Sequence, residues 1–196
     1  DQIYDEHEFL FSALSIQYLF GLQGMELIDL LPQKTHGGSM RYVLAHKGAH
    51  PVKEAVTQLL AKEKAQGLDQ LATFESFRTN VEQSRSDLVS LLKDLKAQGK
   101  KVAGYAATSK STTVLNYCSI GPDLIEYICD TTPIKQGKLS PGVHIPVVPY
   151  ETFKNNPPDY AVLLAWNHAE EIMAKEKDYV AAGGKWMVHV PEVKVL

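Results

Sequence analysis

Four consecutive residues near the start of the chain, Tyr4-Asp5-Glu6-His7, bring a phenol, two carboxylates and an imidazole together. An imidazole beside a carboxylate can act as a general base at neutral pH, and a phenol can stabilise a developing enolate. This combination suits removal of a proton from a carbon acid. The same composition also suits a solvated segment without a chemical role, so these residues alone leave both interpretations open.

A second group of candidates lies between Lys101 and Tyr117, where a short apolar run gives way to small and hydroxylated residues. This order predicts a strand over Val102–Ala106, a tight turn, and a helix from about Thr112. Helix N-termini attract phosphate through unpaired N–H groups and the peptide dipoles. The side chains that could add contacts to such a ligand are Thr108, Ser109, Lys110, Ser111, Thr112, Thr113 and Asn116.

The alternative for this stretch is purely structural. Ser109 or Ser111 would then cap the helix, and the small residues would only let helix and strand pack closely. The sequence contains neither a G-x-G-x-x-G fingerprint nor a Walker loop, so neither kind of nucleotide site is predicted.

Two further segments contain candidate ligand contacts. The connection from Asp130 to Pro149 is long for a compact domain, and such loops are often functional, so Lys135 and His144 are candidates. Its alternative is a proline-rich surface turn. Asn167 lies where a strand should end and a helix begin, and it reads as a helix N-cap that could also face a ligand crevice.

The elements that would position these residues follow from hydrophobic periodicity. A helix capped by Ser12, two strands and two helices are expected before residue 100. From Lys101 onward strands and helices alternate, which predicts an α/β fold with a parallel sheet covered on both faces. The expected elements lie at Met25–Leu31, Ser39–Ala45, 51–66, 68–98, Val102–Ala106, Leu124–Cys129, Ile145–Val148, Tyr160–Leu164, His168–Ala181 and Lys185–His189.

Composition excludes several classes of function. The 196 residues have a formal net charge of −3, which gives no basic field for nucleic acid. No apolar run approaches the roughly 18 residues of a membrane span, and no signal peptide is visible, so we expect a cytoplasmic protein. Cys118 and Cys129 are expected to be buried, and no spacing of cysteine or histidine predicts a metal site.

Several segments, taken in chain order, together resemble the second half of the S-adenosylmethionine-dependent nucleotide-sugar C-methyltransferases. The family includes enzymes that methylate C3 of thymidine-diphosphate-linked 4-keto deoxysugars. The segments are Tyr4-x-Glu6-His7, His36-Gly37-Gly38-Ser39-Met40-Arg41, Leu115-Asn116-Tyr117, Asp130-x-x-Pro133-x-Lys135-Gln136-Gly137, Pro141-Gly142-x-His144-Ile145-Pro146 and Leu164-Ala165-Trp166-Asn167.

This resemblance implies a three-part polypeptide with a zinc-binding N-terminal domain, a Rossmann-type donor-binding domain and a Rossmann-like C-terminal domain that holds the sugar nucleotide. Residues 1–48 would end the donor-binding domain, 49–67 would form a linker helix, and 68–196 would form the C-terminal domain. The zinc cysteines and the glycine-rich donor loop are absent from this sequence. We therefore expect zinc and most of the S-adenosylmethionine site in a missing N-terminal part, and a chain that is inactive alone.

The resemblance also implies roles for the first motif. His7 would remove the proton alpha to the ketone, Glu6 would orient or polarise it, and Tyr4 would help to hold the sugar or enolate. The carbanion would then attack the sulfonium methyl group. Asp5 stands where a histidine is common in the family, which changes the charge next to the base.

Two other functions stay open at this level. The chain could be a non-catalytic module that holds a sugar nucleotide or another phosphorylated ligand through the Thr108–Thr113 turn. It could also be a nicotinamide-dependent oxidoreductase, although the sequence lacks the glycine fingerprint of a dinucleotide site, which argues against this function.

Overall fold

The computed structural model describes residues 1–4 and 7–196, with every side chain in those ranges except that of His36. The chain forms two compact units. One is Phe9–Asn80, and the other combines Asp1–Glu8 with Val81–Leu196. We call the second one the sheet unit. The predicted domain limits at residues 48 and 67 remain a prediction.

The Phe9–Asn80 unit contains α1 (Ala13–Gly21), β1 (Met25–Gln33), β2 (Ser39–His46) and α2 (Glu54–Ala65). Ser12 caps α1 as predicted, because its hydroxyl accepts the N–H of Ser15. The strands pair antiparallel, and their inner face packs on both helices. The buried residues of this core are Ala13, Ile16, Leu27, Leu30 and Val56.

One buried carboxylate completes this unit. Glu63 on α2 is 7% exposed and accepts the backbone N–H groups of Ala13 and Leu14, each over 2.9 Å. These N–H groups have no partner within the first turn of α1, so the carboxylate satisfies them and interacts favourably with the helix dipole.

The long predicted helix is confirmed as α3 (Leu71–Ala97). Its C-terminal half contributes Leu88, Leu92 and Leu95 to the core of the sheet unit. The apolar residues of its first turns are exposed, with 74% of Leu71 and 63% of Phe77 accessible. Helical spacing therefore predicted the element correctly but did not predict which of its apolar residues are buried.

The predicted α/β fold is confirmed in the sheet unit. Its six strands lie in the order β5-β4-β3-β6-β7-β8, and all neighbouring pairs are parallel except β7 with β8. The strands are β3 (Val102–Tyr105), β4 (Ile128–Asp130), β5 (Val147–Pro149), β6 (Tyr160–Leu163), β7 (Lys185–Val188) and β8 (Lys194–Val195). The helices are α4 (Ser109–Cys118), α5 (Tyr150–Asn155), α6 (Ala169–Lys175) and α7 (Lys177–Ala181), with short 3-10 helices at Pro133–Lys135 and Trp166–His168.

Both faces of the sheet are covered. Within and just after β6, Val162 and Leu164 pack with the buried leucines of α3, whereas Ala161 and Leu163 pack with Phe153 and other residues on the opposite side. This alternation follows from the period of two in a strand. The predicted burial of both cysteines, Cys118 and Cys129, is also confirmed.

Two predicted strands and the last predicted helix differ markedly from the structure. The strand expected over Leu124–Cys129 is only Ile128–Asp130, and the one expected over Ile145–Val148 begins at Val147. The single helix expected over His168–Ala181 is two helices that meet at Glu176. The carboxylate of Glu176 is 6% exposed and accepts the hydroxyls of Tyr105 and Tyr150, each over 2.8 Å. These buried hydrogen bonds hold Glu176 at the break, which periodicity could not reveal.

The strand order reverses between β3 and β6. From β3 the chain continues to β4 and β5 on one side, and later to β6 and β7 on the other. In open parallel sheets such a reversal leaves a crevice at the carboxyl ends of the strands, where ligands bind. Among the described residues, no helix is long and apolar enough to cross a membrane.

Candidate ligand site at the carboxyl edge of the sheet

The turn from β3 into α4 is held by a capping box. Thr108 accepts the N–H of Ser111 over 3.1 Å, and the hydroxyl of Ser111 accepts the N–H of Thr108 over 3.0 Å. The helix therefore begins three residues earlier than predicted, and Thr108 rather than Ser109 or Ser111 is its N-cap. Within the described part of the chain, the N–H groups of Ser109 and Lys110 have no acceptor, so an anion could bind there.

Asp130, the last residue of β4, fixes this turn from the neighbouring strand. Its carboxylate accepts the backbone N–H groups of Ala107 and Thr132, each over 2.8 Å, and Lys135 Nζ lies 3.3 Å away. Burial alone would raise the pKa of the Asp130 carboxyl, but hydrogen bonds from Thr132 and Ala107 and the charge of Lys135 together lower it below its ordinary value. Asp130 is therefore an ionised anchor at the strand end.

The start of α4 and the loop after β4 border an open cavity of about 390 Å³. Its wall combines hydroxyls and two lysines with apolar groups, which suits a ligand that carries both phosphate and a ring. Lys135 is partly engaged, because its ammonium donates to the carbonyl of Ala107 over 2.6 Å. The lining residues are Ala107, Thr108, Ser109, Ser111, Thr112, Ile134, Lys135, Lys138, Leu139, Ser140, Pro141 and Val147.

Of the predicted ligand contacts, five lie together in this wall: Thr108, Ser109, Ser111, Thr112 and Lys135. The others do not line it. Lys110 is 7% exposed, and Thr113 lies one turn into α4. His144 is exposed, with a φ of 59° in the left-handed region.

Asn116 supports the wall of the cavity from behind. Its Nδ2 donates to the carbonyls of Thr112 and Pro141 over 2.8 and 2.9 Å, which ties α4 to the loop. Gly142 packs so closely on this side chain that a Cβ there would lie 1.8 Å from Asn116 Oδ1.

Asn167 does not have the role predicted for it as a helix N-cap. It lies inside the 3-10 helix Trp166–His168, and α6 is preceded by His168, whose side chain makes no capping hydrogen bond. The 3-10 helix follows β6 directly and so places Asn167 at the carboxyl edge of the sheet.

The Tyr4–His7 motif also belongs to the sheet unit. Thr113 on α4 donates a hydrogen bond from Oγ1 to the carbonyl oxygen of Ile3 over 2.9 Å. The segment that contains the candidate base therefore contacts the helix whose first turn borders the cavity. Glu6, the predicted orienting carboxylate, lies outside the described residues.

Local contacts orient the His7 imidazole. Its Nδ1 lies 2.9 Å from the carbonyl oxygen of Gln2, its backbone N–H donates to Tyr4 over 2.7 Å, and its ring lies 4.2 Å from that of Tyr4. A carbonyl can only accept, so Nδ1 carries a hydrogen, and in the neutral imidazole the lone pair then lies on Nε2. This tautomer is the one that a general base acting through Nε2 requires.

The described residues provide neither a metal site nor a glycine-rich donor loop. Within them, no group of three histidine, cysteine or acidic side chains could hold a metal ion. The β3–α4 turn contains no glycine and passes through Ala106 with a φ of 72°, unlike a glycine-rich nucleotide loop. The residues at this turn therefore do not fit the donor S-adenosylmethionine.

Sequence reasoning did not assign roles to several residues of this site. Lys138 lies within the segment that the sequence singled out, but nothing in its spacing distinguishes it from other surface lysines. Asp130 has no role of its own in the sequence analysis, although its position directly after a predicted strand is the signal that could have identified an anchor. Trp166 and His189 follow β6 and β7, and only the sheet order shows that their strands are neighbours.

Comparison with known proteins agrees with this architecture. Residues 34–191 match the model of the C-methyltransferase C-terminal domain. The chain therefore belongs to the C-methyltransferase family. It is 38% identical over 197 aligned residues to the C-methyltransferase NovU of Streptomyces niveus, and the match covers all of this chain and 47% of that protein. The chain thus spans about half the length of the curated relative that it matches.

Proposed function

We propose that this chain is the C-terminal portion of an S-adenosylmethionine-dependent methyltransferase that acts on a nucleotide-linked 4-keto deoxysugar, at a carbon alpha to the ketone. The observation that supports this most directly is the Thr113–Ile3 hydrogen bond, because it joins the segment of the candidate base to the helix beside the cavity. Membership of the C-methyltransferase family supports the reaction class.

In this proposal the diphosphate binds at the start of α4. The N–H groups of Ser109 and Lys110 have no acceptor in the described chain and supply donors, and the hydroxyls of Thr108 and Thr112 lie nearby. Lys138 supplies the free positive charge, since Lys135 is already bonded to Ala107 and Asp130. The apolar part of the wall, which includes Ile134 and Leu139, takes the ring of the nucleoside.

His7 is proposed as the base. Its Nε2 takes the proton alpha to the ketone, and the electron pair of the broken C–H bond passes to the ketone oxygen to form an enolate. Tyr4, whose ring lies 4.2 Å from the imidazole, is proposed to hold the sugar or the enolate oxygen. Glu6 retains its predicted role of orienting the substrate or the base.

The donor supplies an electrophilic methyl group when it is bound. We propose that an upstream part of the same polypeptide binds it, together with any structural zinc, because the β3–α4 turn lacks the glycines of a donor loop. The chain expressed alone is then expected to bind the sugar nucleotide without methylating it.

Exchange of the substrate proton tests the base. The full-length gene product is incubated in heavy water with a thymidine-diphosphate-linked 4-keto deoxysugar, and deuterium at the carbon alpha to the ketone is followed by NMR. We expect exchange with the parent protein and its loss in His7→Asn. The exposed His50→Asn is the matched control and should exchange like the parent. Undiminished exchange in His7→Asn would refute the role of His7.

A further inference from the structure

We propose that Trp166 is a positioning residue for the base His7, acting through the carboxylate of Asp1. The inference rests on the proposed function, since it concerns the placement of that base. Three neighbouring elements at the carboxyl edge of the sheet contribute: α4 after β3, the 3-10 helix after β6, and His189 after β7. Together they hold residues 1–3 across the point where the strand order reverses.

The contact between Asp1 and Trp166 is the main anchor. The indole Nε1 of Trp166 donates to Asp1 Oδ2 over 2.5 Å, and the carboxylate side chain is only 7% exposed. A buried carboxylate that loses its donor is costly, so this hydrogen bond strongly favours the docked position of the segment.

His189 completes the pocket around the carboxylate. Its Nε2 lies 3.4 Å from Asp1 Oδ2 without the geometry of a hydrogen bond, and its side chain is 6% exposed. Burial lowers the pKa of His189 to about 4, so the imidazole is neutral at pH 7. Trp166 is therefore the principal donor to this carboxylate.

The contacts of Asp1 and Ile3 act on His7 through Gln2, the residue between them. Asp1 is held by Trp166 and Ile3 is held by Thr113, and Gln2 lies between them. The carbonyl of Gln2 accepts the Nδ1–H of His7 and so sets both its tautomer and its ring direction. Fixing residues 1 and 3 therefore fixes the group that orients the base. Small displacements of a catalytic group reduce rates strongly, so release of the anchor should slow catalysis.

The test combines kinetics with hydrogen exchange in the full-length gene product. Trp166→Phe removes the donor and keeps an aromatic ring. We expect it to lower kcat on the order of tenfold or more, with the KM for the keto-sugar nucleotide within about twofold of the parent. Amide deuterium uptake in the peptide that covers residues 2–8 should rise in the same variant, because the segment is released.

Two substitutions at Asp1 test the same contact from the acceptor side, and the conservative one should restore it. Asp1→Ala removes the acceptor and should reproduce both effects, whereas Asp1→Asn keeps an oxygen acceptor for the indole and should retain most of the activity and protection. The exposed His168→Ala, two residues from Trp166, controls for changes in the 3-10 helix and should match the parent in both measurements.

The outcomes separate this inference from the proposed function. If the parent protein does not methylate or exchange the sugar, the proposed function fails, while hydrogen exchange still tests the anchor. Unchanged uptake over residues 2–8 in Trp166→Phe and Asp1→Ala would overturn the inference. A rise in KM with kcat unchanged in Trp166→Phe would also overturn it, since Trp166 would then contact substrate rather than position the base.

Discussion

Thr113 and Ile3 are 110 positions apart in sequence, and the hydroxyl of the first donates a hydrogen bond to the carbonyl of the second over 2.9 Å. The bond links the candidate base segment to the helix that starts at the cavity. The proposed base and the proposed ligand site, which lie far apart in the sequence, are thus brought to one edge of one sheet.

Removing this hydrogen bond should affect both the order of the N-terminal segment and the rate of catalysis. Thr113→Val keeps the shape of the side chain and removes the donor, at a cost of about 1 kcal/mol for a typical hydrogen bond. We expect faster amide exchange over residues 2–8 and a lower kcat in the full-length protein. Thr113→Ser retains the hydroxyl and should behave like the parent, and equal behaviour of the two variants would contradict the prediction.

Asp130 should make stability depend on pH. Its pKa in the folded state lies below the ordinary value of 3.8, so the ionised carboxylate stabilises the fold above that pH, and this stabilisation is lost as the pH falls through the folded pKa. We expect Asp130→Asn to lower the urea midpoint at pH 7, and the difference from the parent to shrink below a pH of about 4.

The control for this series is the exposed Asp123→Asn, which removes one charge without removing the anchor. The prediction fails if the urea midpoints of Asp130→Asn and the parent differ by a constant amount from pH 7 to pH 3. The charge of the Asp130 carboxylate would then contribute nothing to the stability of the fold.

Lys138 should matter for binding and not for stability. It lines the cavity and is exposed, and within the described residues its ammonium has no partner. We expect Lys138→Ala to weaken binding of a thymidine-diphosphate sugar by about 1–3 kcal/mol, measured by calorimetry, as for a charged hydrogen bond. Lys154→Ala, on the exposed side of α5, should leave affinity unchanged. The prediction fails if the two variants bind equally well.

Gly142 should be less replaceable than Gly137 in the same loop. Both have φ in the left-handed region, 79° and 74°, so alanine is strained at each by about 1–2 kcal/mol. Only at Gly142 would the Cβ also collide with Asn116, which holds the cavity wall, whereas nothing lies within 4 Å at Gly137. We expect Gly142→Ala to lower the midpoint of urea unfolding and the ligand affinity further than Gly137→Ala does. Equal effects would mean that the loop relaxes without cost.

Local signals in the sequence predicted much of the fold. Ser12 as a cap, the β1–β2 pair, α3, and the alternation of strands and helices after Lys101 were all predicted from spacing, because caps and periodicity depend on near neighbours. The break at Glu176 was missed, since its cause is two tyrosine hydroxyls from distant elements.

The candidate site also combines features that the sequence predicts with features that only the tertiary structure produces. Sequence by itself determined the family, the residue types available for chemistry, and a helix start after β3 with hydroxyls and lysines around it. Tertiary structure decided which of them meet. Lys135 joins the cavity wall and Lys110 does not, and residues 1–3 lie against Trp166 and Thr113. The physical reason is that strand order, which places the ends of β3 and β6 side by side, is set by packing between distant segments and leaves no local trace in the chain.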